Sequence, residues 1–188
     1  HGPRMRYAEG DWSNAAFWLV AGAIGGSIGC QGLDMESPQG DRAIAALLEE
    51  FGAETKVALN QITATHKEMK GIRIDASQIP DLVPILCVAA AAAEGKTEIY
   101  NAGRLRMKES DRLAVMAECM QKIGVEVEER PDSIIITGGC NPPEGEIVID
   151  SHNDHRIVMA MAIAAVSLGV ELTILGAEAV NKSYPSFF

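Results

Sequence analysis

The sequence predicts an α/β domain made of repeated units in which apolar helices rich in small residues are buried. The first observation is a segment that recurs three times, an apolar helix that passes through a Gly into a short strand: AAFWLVAGAIGGSIGCQGL, LVPILCVAAAAAEGKTEIYNA and IVMAMAIAAVSLGVELTILG. The spacing is roughly 70 residues, which is long for a solenoid unit. The second observation is the composition, because 188 residues with 47% hydrophobic and 22% charged side chains suffice to bury a core.

A second helix and a strand follow each of the first two apolar helices. The two segments are QGDRAIAALLEEFGAETKVAL at 39–59 and KESDRLAVMAECMQKIGVEVEE at 108–129. In each segment a Gly directly follows the last apolar helix residue, as a left-handed C-cap requires. The corresponding positions are Gly52 and Gly124, and the pairs Asp41-Arg42 and Asp111-Arg112.

Alternating apolar and polar residues then predict two strands that close each unit. These strands are Gln61–Thr65 and 71–75 in the first unit, and Ser133–Thr137 and 146–150 in the second. The third unit breaks off after LTILG, so we expect it to be incomplete and the chain to be a fragment of a longer protein; the alternative is a naturally shortened third unit. The sequence therefore predicts a single domain over 1–188, with repeats at about 11–77, 78–150 and, in part, 151–188.

Charge and composition exclude several classes of protein. A net charge of -10 argues against nucleic-acid binding, which needs a basic surface to displace counterions. The longest apolar runs, 15–26 and 82–93, are too short to span a bilayer, which needs roughly 20 residues. The four cysteines are widely separated and form no C-x-x-C motif, which favours a reducing compartment. We expect a cytoplasmic protein without nucleic-acid or membrane partners.

Cations recur at predicted helix starts. The stretch 104–124 predicts an amphipathic helix whose first turn carries Lys108 and Arg112. The helix dipole disfavours each cation there by about 0.3–1 kcal/mol. An anion bound to the cations and to the free N–H groups of the first turn would offset this cost. The alternative is a solvated turn in which Glu109 and Asp111 neutralise the cations.

The same pattern returns in the third unit. The helix that begins near Asp154 carries His155 and Arg156 in its first turn, and Lys182 comes just before the next predicted helix. If the units pack about a common axis, these helix starts converge at one end of the domain. The sequence therefore favours a local anion site over a chance distribution of surface cations.

Other interpretations of these residues remain open at this point. His152, Asp154 and His155 resemble a metal cluster, but no further His or Cys motif completes it, so we expect no metal ion and no cofactor. Asp11 and Asp81 lie at helix starts, where an Asp is more often an N-cap than a catalyst. The two roles are compatible, because an ionised Asp that faces cations can also accept a proton from a hydroxyl.

Several motifs together resemble one enzyme family. They are LRMKESDRLAVMAECMQKIGVEVEE, NDHRIVMAMAIAA and NKSYPSFF, with EGDWSNAAFWLVAGAI and IPDLVPILCVAAAAAEG. From about Tyr7 onward the chain resembles the C-terminal half of the 5-enolpyruvylshikimate-3-phosphate synthase family. The resemblance implies two similar domains, each of three βαβαββ units with parallel helices inside and sheets outside. It implies that this chain is the C-terminal domain without the first strands, the other domain and the last helix.

The resemblance also implies a reaction between two anions. The family transfers the enolpyruvyl group of phosphoenolpyruvate to the 5-hydroxyl of shikimate 3-phosphate, by addition and then elimination of phosphate. By motif match, the residues that hold phosphoenolpyruvate are Arg112, Arg156 and Lys182, with His155 beside them, and Lys108 contacts shikimate 3-phosphate. Asp81 accepts the hydroxyl proton, and Glu109, alone or with Lys182, serves proton transfer at the methylene carbon.

Two departures and two rivals accompany this resemblance. Position 104 is Arg, where some family members carry a smaller polar residue that contacts shikimate 3-phosphate. The basic residues of the other domain are absent, so we expect the chain to be inactive without its N-terminal half.

One rival is UDP-N-acetylglucosamine enolpyruvyl transferase, whose nucleophilic cysteine belongs to the missing half; K-E-S-D-R with N-D-H-R favours the shikimate enzyme. The other rival is a non-catalytic anion-binding module.

Overall fold

The computed structural model describes residues 8–188, so Tyr7, where the family resemblance begins, lies outside the described residues. Five α-helices occur in this range: α1 (Trp12–Gly25), α2 (Ile44–Phe51), α3 (Val83–Ala92), α4 (Arg112–Lys122) and α5 (His155–Leu168). The nine strands are β1 (Ser27–Gln31), β2 (Glu54–Ala58), β3 (Gln61–Thr65), β4 (Arg73–Asp75), β5 (Lys96–Tyr100), β6 (Glu126–Arg130), β7 (Ser133–Thr137), β8 (Val148–Asp150) and β9 (Thr173–Leu175). Short 3-10 helices cover Gly40–Ala43, Pro80–Leu82, Gly103–Met107 and Ala177–Lys182.

The strands form three sheets within the described residues. The first has the order β1-β3-β2 and is antiparallel. The second has the order β4-β5-β7-β6, in which β4 and β5 are parallel and the other pairs antiparallel. The third is the parallel pair β8-β9. The succession β4-α3-β5-α4-β6-β7 is one βαβαββ unit, and β8-α5-β9 repeats its first three elements, which confirms the predicted α/β repeat.

Two of the four predicted closing strands have the predicted bounds, and the other two are shorter. The predictions for Gln61–Thr65 and Ser133–Thr137 coincide with β3 and β7. The predicted strands at 71–75 and 146–150 are shorter in the structure, and each pairs with the first strand that follows the next apolar helix. At Gly71 the chain passes close to the start of β5, because a Cβ there would lie 2.2 Å from the carbonyl oxygen of Lys96.

The three apolar helices α1, α3 and α5 pack against one another in the interior, as predicted. In α3 every residue from Val83 to Ala91 is buried. Small side chains there let the neighbouring backbones approach closely without leaving voids. No helix within residues 8–188 is both long enough and apolar enough to cross a bilayer.

Replacing Ala90 by Leu is expected to lower the free energy of unfolding by about 1–3 kcal/mol, because the added atoms would overfill a close-packed interior. Ala90 is 0% exposed between the packed helices. Urea denaturation measures the effect, and Ala46→Leu on the exposed side of α2 is the matched control. Equal stability of the two variants would contradict the buried position of α3.

The prediction of one continuous helix over 104–124 is wrong at its N-terminal end. The first residues form the 3-10 helix Gly103–Met107, and α4 begins only at Arg112. Asp111 is the reason, because its side chain accepts a hydrogen bond from the backbone N–H of Ala114 at 3.0 Å and caps α4. Lys108 is extended and therefore lies outside the first turn of α4.

The predicted position of Lys182 at a helix start is also wrong. Lys182 is the last residue of the 3-10 helix Ala177–Lys182, which begins after Gly176 in the left-handed conformation. The rings of Tyr184 and Phe187 follow it, and Phe187 packs on Phe17 and Trp18 of α1. This aromatic packing holds the segment against α1.

Candidate active site

The starts of α1, α3 and α5 meet at one end of the domain. The side chain of Asp11 caps α1 by accepting from the backbone N–H of Ser13 at 2.8 Å, as predicted. The side chain of Asp154 caps α5 by accepting from the backbone N–H of Arg156 at 3.0 Å. Arg156 Nη2 lies 3.2 Å from Ser13 Oγ and 3.5 Å from Asp81 Oδ2. The first residues of α1 and α5 are thus within contact distance of each other, and α5 also contacts the 3-10 helix that leads into α3.

Asp81 lies at the centre of a group of cations. The alternative that Asp81 is an N-cap does not hold, because its side chain makes no capping hydrogen bond and Ile79 occupies the cap position. Its carboxylate instead accepts from Arg112 Nη1 at 2.8 Å and lies 3.1 Å from Lys108 Nζ. Three cations outcompete one N–H donor for this carboxylate. Burial tends to raise the pKa of Asp81, but the charges of Arg156, Lys108 and Arg112 outweigh it and hold the pKa below its ordinary value.

Arg112 is fixed from two sides. Its Nε and Nη2 atoms donate to Asp154 Oδ2 and Oδ1 at 2.7 and 3.3 Å, which is a bidentate pair. The side chains are 3% and 0% exposed, and Ser110 Oγ adds a hydrogen bond to Asp154 at 3.0 Å. Burial opposes ionisation of Asp154, yet these hydrogen bonds hold its pKa below the ordinary value. Asp154 therefore fixes the guanidinium plane that Arg112 presents to Asp81.

A second group of charges surrounds Glu109. Its Oε2 atom lies 3.2 Å from His155 Nδ1 and 3.2 Å from Lys182 Nζ. Lys182 also donates to the backbone carbonyl of Asn153, just before α5. Glu109 and Lys182 are about 40% exposed, whereas His155 is buried. This carboxylate and ammonium form the accessible side of the site.

The structure brings all seven predicted site residues into these two groups: Asp81, Lys108, Arg112 and Arg156 in the first, and Glu109, His155 and Lys182 in the second. The loop 108–110 and the start of α5 join the two groups. Arg104, whose contact was in doubt from the sequence, is exposed on the 3-10 helix before this loop.

One buried donor in the site has no partner within the described residues. Arg156 Nη1 is inaccessible to solvent and donates no hydrogen bond to any atom of residues 8–188. A buried guanidinium N–H without an acceptor costs free energy, so it points to a ligand that supplies the acceptor. Because Lys108 and Lys182, in the same two groups of charges, are partly exposed, the site suits an anionic ligand.

The same geometry argues against a metal ion. Glu109, Asp154 and His155 place ligand atoms within 4.8 Å of one another. Both oxygens of Asp154 already accept hydrogen bonds, however, and the ammonium of Lys182 occupies the position next to Glu109. His152, the other histidine of the considered cluster, is an exposed turn residue whose backbone N–H donates to Asp150.

Asp41 is an acidic residue that was not predicted from the sequence and whose ionisation is influenced by the charges of Asp81 and Arg156. The pKa of its carboxyl is raised to about 6, first by burial and then by the charge of Asp81, against the lowering effect of the Arg156 charge. A carboxyl that titrates near neutrality beside a charged cleft is a candidate functional group.

Comparisons with known proteins identify the family. The family model of EPSP synthase (3-phosphoshikimate 1-carboxyvinyltransferase) matches residues 3–188. The chain is 48% identical over 180 residues to the 3-phosphoshikimate 1-carboxyvinyltransferase of Clostridium kluyveri, covering 96% of this chain and 42% of that protein. It is 50% identical over 182 residues to the enzyme of the same name from Clostridium acetobutylicum, covering 96% and 41%. The chain thus spans about two fifths of the length of these relatives.

Solved structures agree with this assignment. EPSP synthase from Acinetobacter baumannii superposes with a TM-score of 0.75 at 32% identity, over 93% of this chain and 43% of that one. An enolpyruvyl transferase from Streptomyces tendae has a TM-score of 0.70 over 94% of this chain and 41% of that one, and its 18% identity supports the fold alone. With the motifs, the repeat and the cation-lined site already described, these matches mean that the chain belongs to the EPSP synthase family.

Proposed function

We propose that this chain is the C-terminal domain of an EPSP synthase, a single domain over 1–188 that supplies one wall of the active site of a cytoplasmic enzyme. The reaction transfers the enolpyruvyl group of phosphoenolpyruvate to the 5-hydroxyl of shikimate 3-phosphate and releases phosphate. The observation that carries the proposal is the carboxylate of Asp81 held among Lys108, Arg112 and Arg156. The N-terminal half of the same protein supplies the opposite wall.

Phosphoenolpyruvate binds to cations from both groups of the site. Arg112, Arg156 and Lys182 hold its phosphate and carboxylate, with His155 beside them. Guanidinium groups suit planar, multi-oxygen anions because their N–H donors form a rigid fork. The buried Nη1 of Arg156 gains the acceptor that the described residues do not give it. Lys108 lies next to Asp81 and contacts shikimate 3-phosphate.

Asp81 accepts the proton of the 5-hydroxyl as the hydroxyl oxygen bonds to carbon 2 of phosphoenolpyruvate. The cations lower the pKa of Asp81 in the free chain, which keeps the carboxylate ionised and makes it a weak base. When two anionic substrates bind to Lys108, Arg112 and Arg156, they offset this positive charge. The pKa of Asp81 then rises and the carboxylate becomes a stronger base at the moment it is needed.

Glu109 and Lys182 transfer a proton to and from the methylene carbon of phosphoenolpyruvate. They lie 3.2 Å apart, so a proton donor and an acceptor are adjacent. In the addition step one of them donates a proton to the methylene carbon. In the elimination step the carbon–oxygen bond to phosphate breaks, and the same pair takes a proton back from the methyl group. Coupled groups of this kind share their protons, so the donor is the pair.

The test compares the chain alone, the chain mixed with a separately produced N-terminal half, and the full-length protein. Phosphate release from the two substrates is the readout. We expect none from the chain alone, because one wall cannot hold two anions together and exclude water. Adding the N-terminal half is expected to restore turnover.

Binding by the chain alone separates an enzyme fragment from an anion-binding module. We expect phosphoenolpyruvate to bind on the millimolar scale, which is about 4 kcal/mol, and high salt to weaken it by screening the cations. Turnover by the chain alone would overturn the half-site proposal. Binding without any turnover by the full-length protein would favour the non-catalytic module.

A further inference from the structure

The loop 108–110 carries groups that the site depends on, but its side-chain contacts lie within the site. Lys108 pairs with Asp81, and Glu109 contacts His155 and Lys182. Under the proposed function, substrates and protons compete for these contacts during each turnover. The loop therefore needs an anchor that the reaction leaves untouched.

Arg106, two residues before the loop, makes such contacts. Its Nε donates to the carbonyl of Pro131 at 2.9 Å, and its Nη2 donates to the carbonyl of Arg130 and to Glu129 Oε1, both at 2.8 Å. Its Nη1 donates to the two oxygens of Asp111 at 3.0 and 3.3 Å. One guanidinium thus joins the β6–β7 turn to the residue that caps α4.

The same turn holds the other end of the segment. The backbone N–H of Ala102 donates to the carbonyl of Asp132 at 2.9 Å, and that of Gly103 donates to the Asp132 side chain. A Cβ at Gly103 would lie 2.6 Å from that carboxylate, so the approach depends on glycine. Segment 102–111 is therefore fixed to the β6–β7 hairpin at both ends.

We propose that Arg106 is a positioning residue that holds the loop 108–110 so that Lys108 and Glu109 reach the cleft. The inference rests on the proposed function of that cleft. None of the groups that contact Arg106 belongs to the anion site. Substrate binding therefore leaves these contacts, which we call the Arg106 clamp, intact. Arg106 is 29% exposed, and its ion pairs alone contribute little to global stability. Its effect is therefore on the position of the loop.

The test uses the full-length protein that contains this chain and the variant Arg106→Gln. We expect kcat to fall about 10- to 100-fold, the range for a small misplacement of catalytic groups. The KM for shikimate 3-phosphate should rise about tenfold because Lys108 is displaced. The KM for phosphoenolpyruvate should rise less than that for shikimate 3-phosphate, by at most about threefold, because Arg112 pairs directly with Asp154 and Arg156 contacts Ser13, and the loop supports these ligands only through Ser110 on Asp154 and Glu109 on Lys182. Arg106→Lys, which keeps the charge, should recover part of the loss.

Arg130→Gln is the matched control, because the Arg130 side chain leaves the same turn but pairs with Glu128 on the sheet surface. Hydrogen exchange at 103–111 should accelerate in Arg106→Gln and stay unchanged in Arg130→Gln. Unchanged exchange in Arg106→Gln would overturn the clamp. Equal losses for both substrates, in proportion to unfolded protein, would overturn the positioning role. A wild-type protein without synthase activity would instead reject the proposed function, while the exchange comparison would still decide on the clamp.

Discussion

Replacing Asp81 by Asn in the full-length protein is expected to lower kcat by about 10²- to 10⁴-fold, the range for loss of a general base. The amide has nearly the size of the carboxylate but cannot accept the hydroxyl proton. Three cations surround Asp81, so losing its charge leaves them less compensated. The KM for phosphoenolpyruvate should therefore stay the same or fall.

The measurement is a steady-state assay of phosphate release with both substrates varied. Asp75→Asn is the matched control, because Asp75 is an exposed carboxylate that accepts from the backbone N–H of Ser77 and from Asn101 and contacts none of the site cations. A value of kcat within threefold of wild type would remove Asp81 from the role of base. A higher KM for phosphoenolpyruvate would contradict the electrostatic account of its surroundings.

Replacing Arg112 by Ala should have two large effects. In the full-length protein, kcat/KM is expected to lose at least about 1.5–3 kcal/mol of transition-state stabilisation, the range for a hydrogen bond to a charged group. The free energy of unfolding should fall by about 3–5 kcal/mol, because Asp154 would stay buried without its partner. Asp154 is 0% exposed beside Arg112, so its charge depends on donors from the protein and not on solvent.

The two effects are separable by a second variant. Arg112→Lys keeps a charge near Asp154 and should recover much of the stability but little of kcat/KM, because an ammonium cannot form the bidentate pair and also reach Asp81. Urea denaturation gives the stability, and kinetics are measured where each variant is folded. Arg73→Ala is the control, since Arg73 pairs with Glu98 on the exposed sheet surface. An unchanged kcat/KM in Arg112→Ala would count against its role in the site.

The parts of the fold that were predictable from sequence are those set by local composition. The apolar small-residue runs predicted α1, α3 and α5, because few other elements can bury segments such as VAAAAA. The alternation of apolar and polar residues predicted β3 and β7, since each of these strands has one buried face. The motifs K-E-S-D-R and N-D-H-R predicted which side chains gather in the site.

What the sequence did not reveal depends on contacts between distant residues. Helical periodicity over 104–124 does not reveal that the Asp111 side chain caps α4, so that the helix begins at Arg112 and Lys108 lies outside it. The N-cap preference of Asp at position 81 is overridden by Arg112, 31 residues away. Arg156 contacts Ser13 across 143 residues, a proximity that no local pattern encodes. Asp41 acquires its raised pKa from burial, which is a property of the fold.

The parallel pairing of β4 with β5, and of β8 with β9, makes the repeats interdependent in folding. Each of these pairs joins the two strands that flank a buried helix in the sequence. The two strands can therefore pair only when the helix between them has also packed into the interior. In a linear repeat array, a unit contacts only its neighbours and can unfold from one end. Here the helices α1, α3 and α5 also contact one another, so removing one exposes the other two. The domain is therefore expected to unfold as one cooperative unit, and a half-sized piece of it would leave open strand edges prone to aggregation.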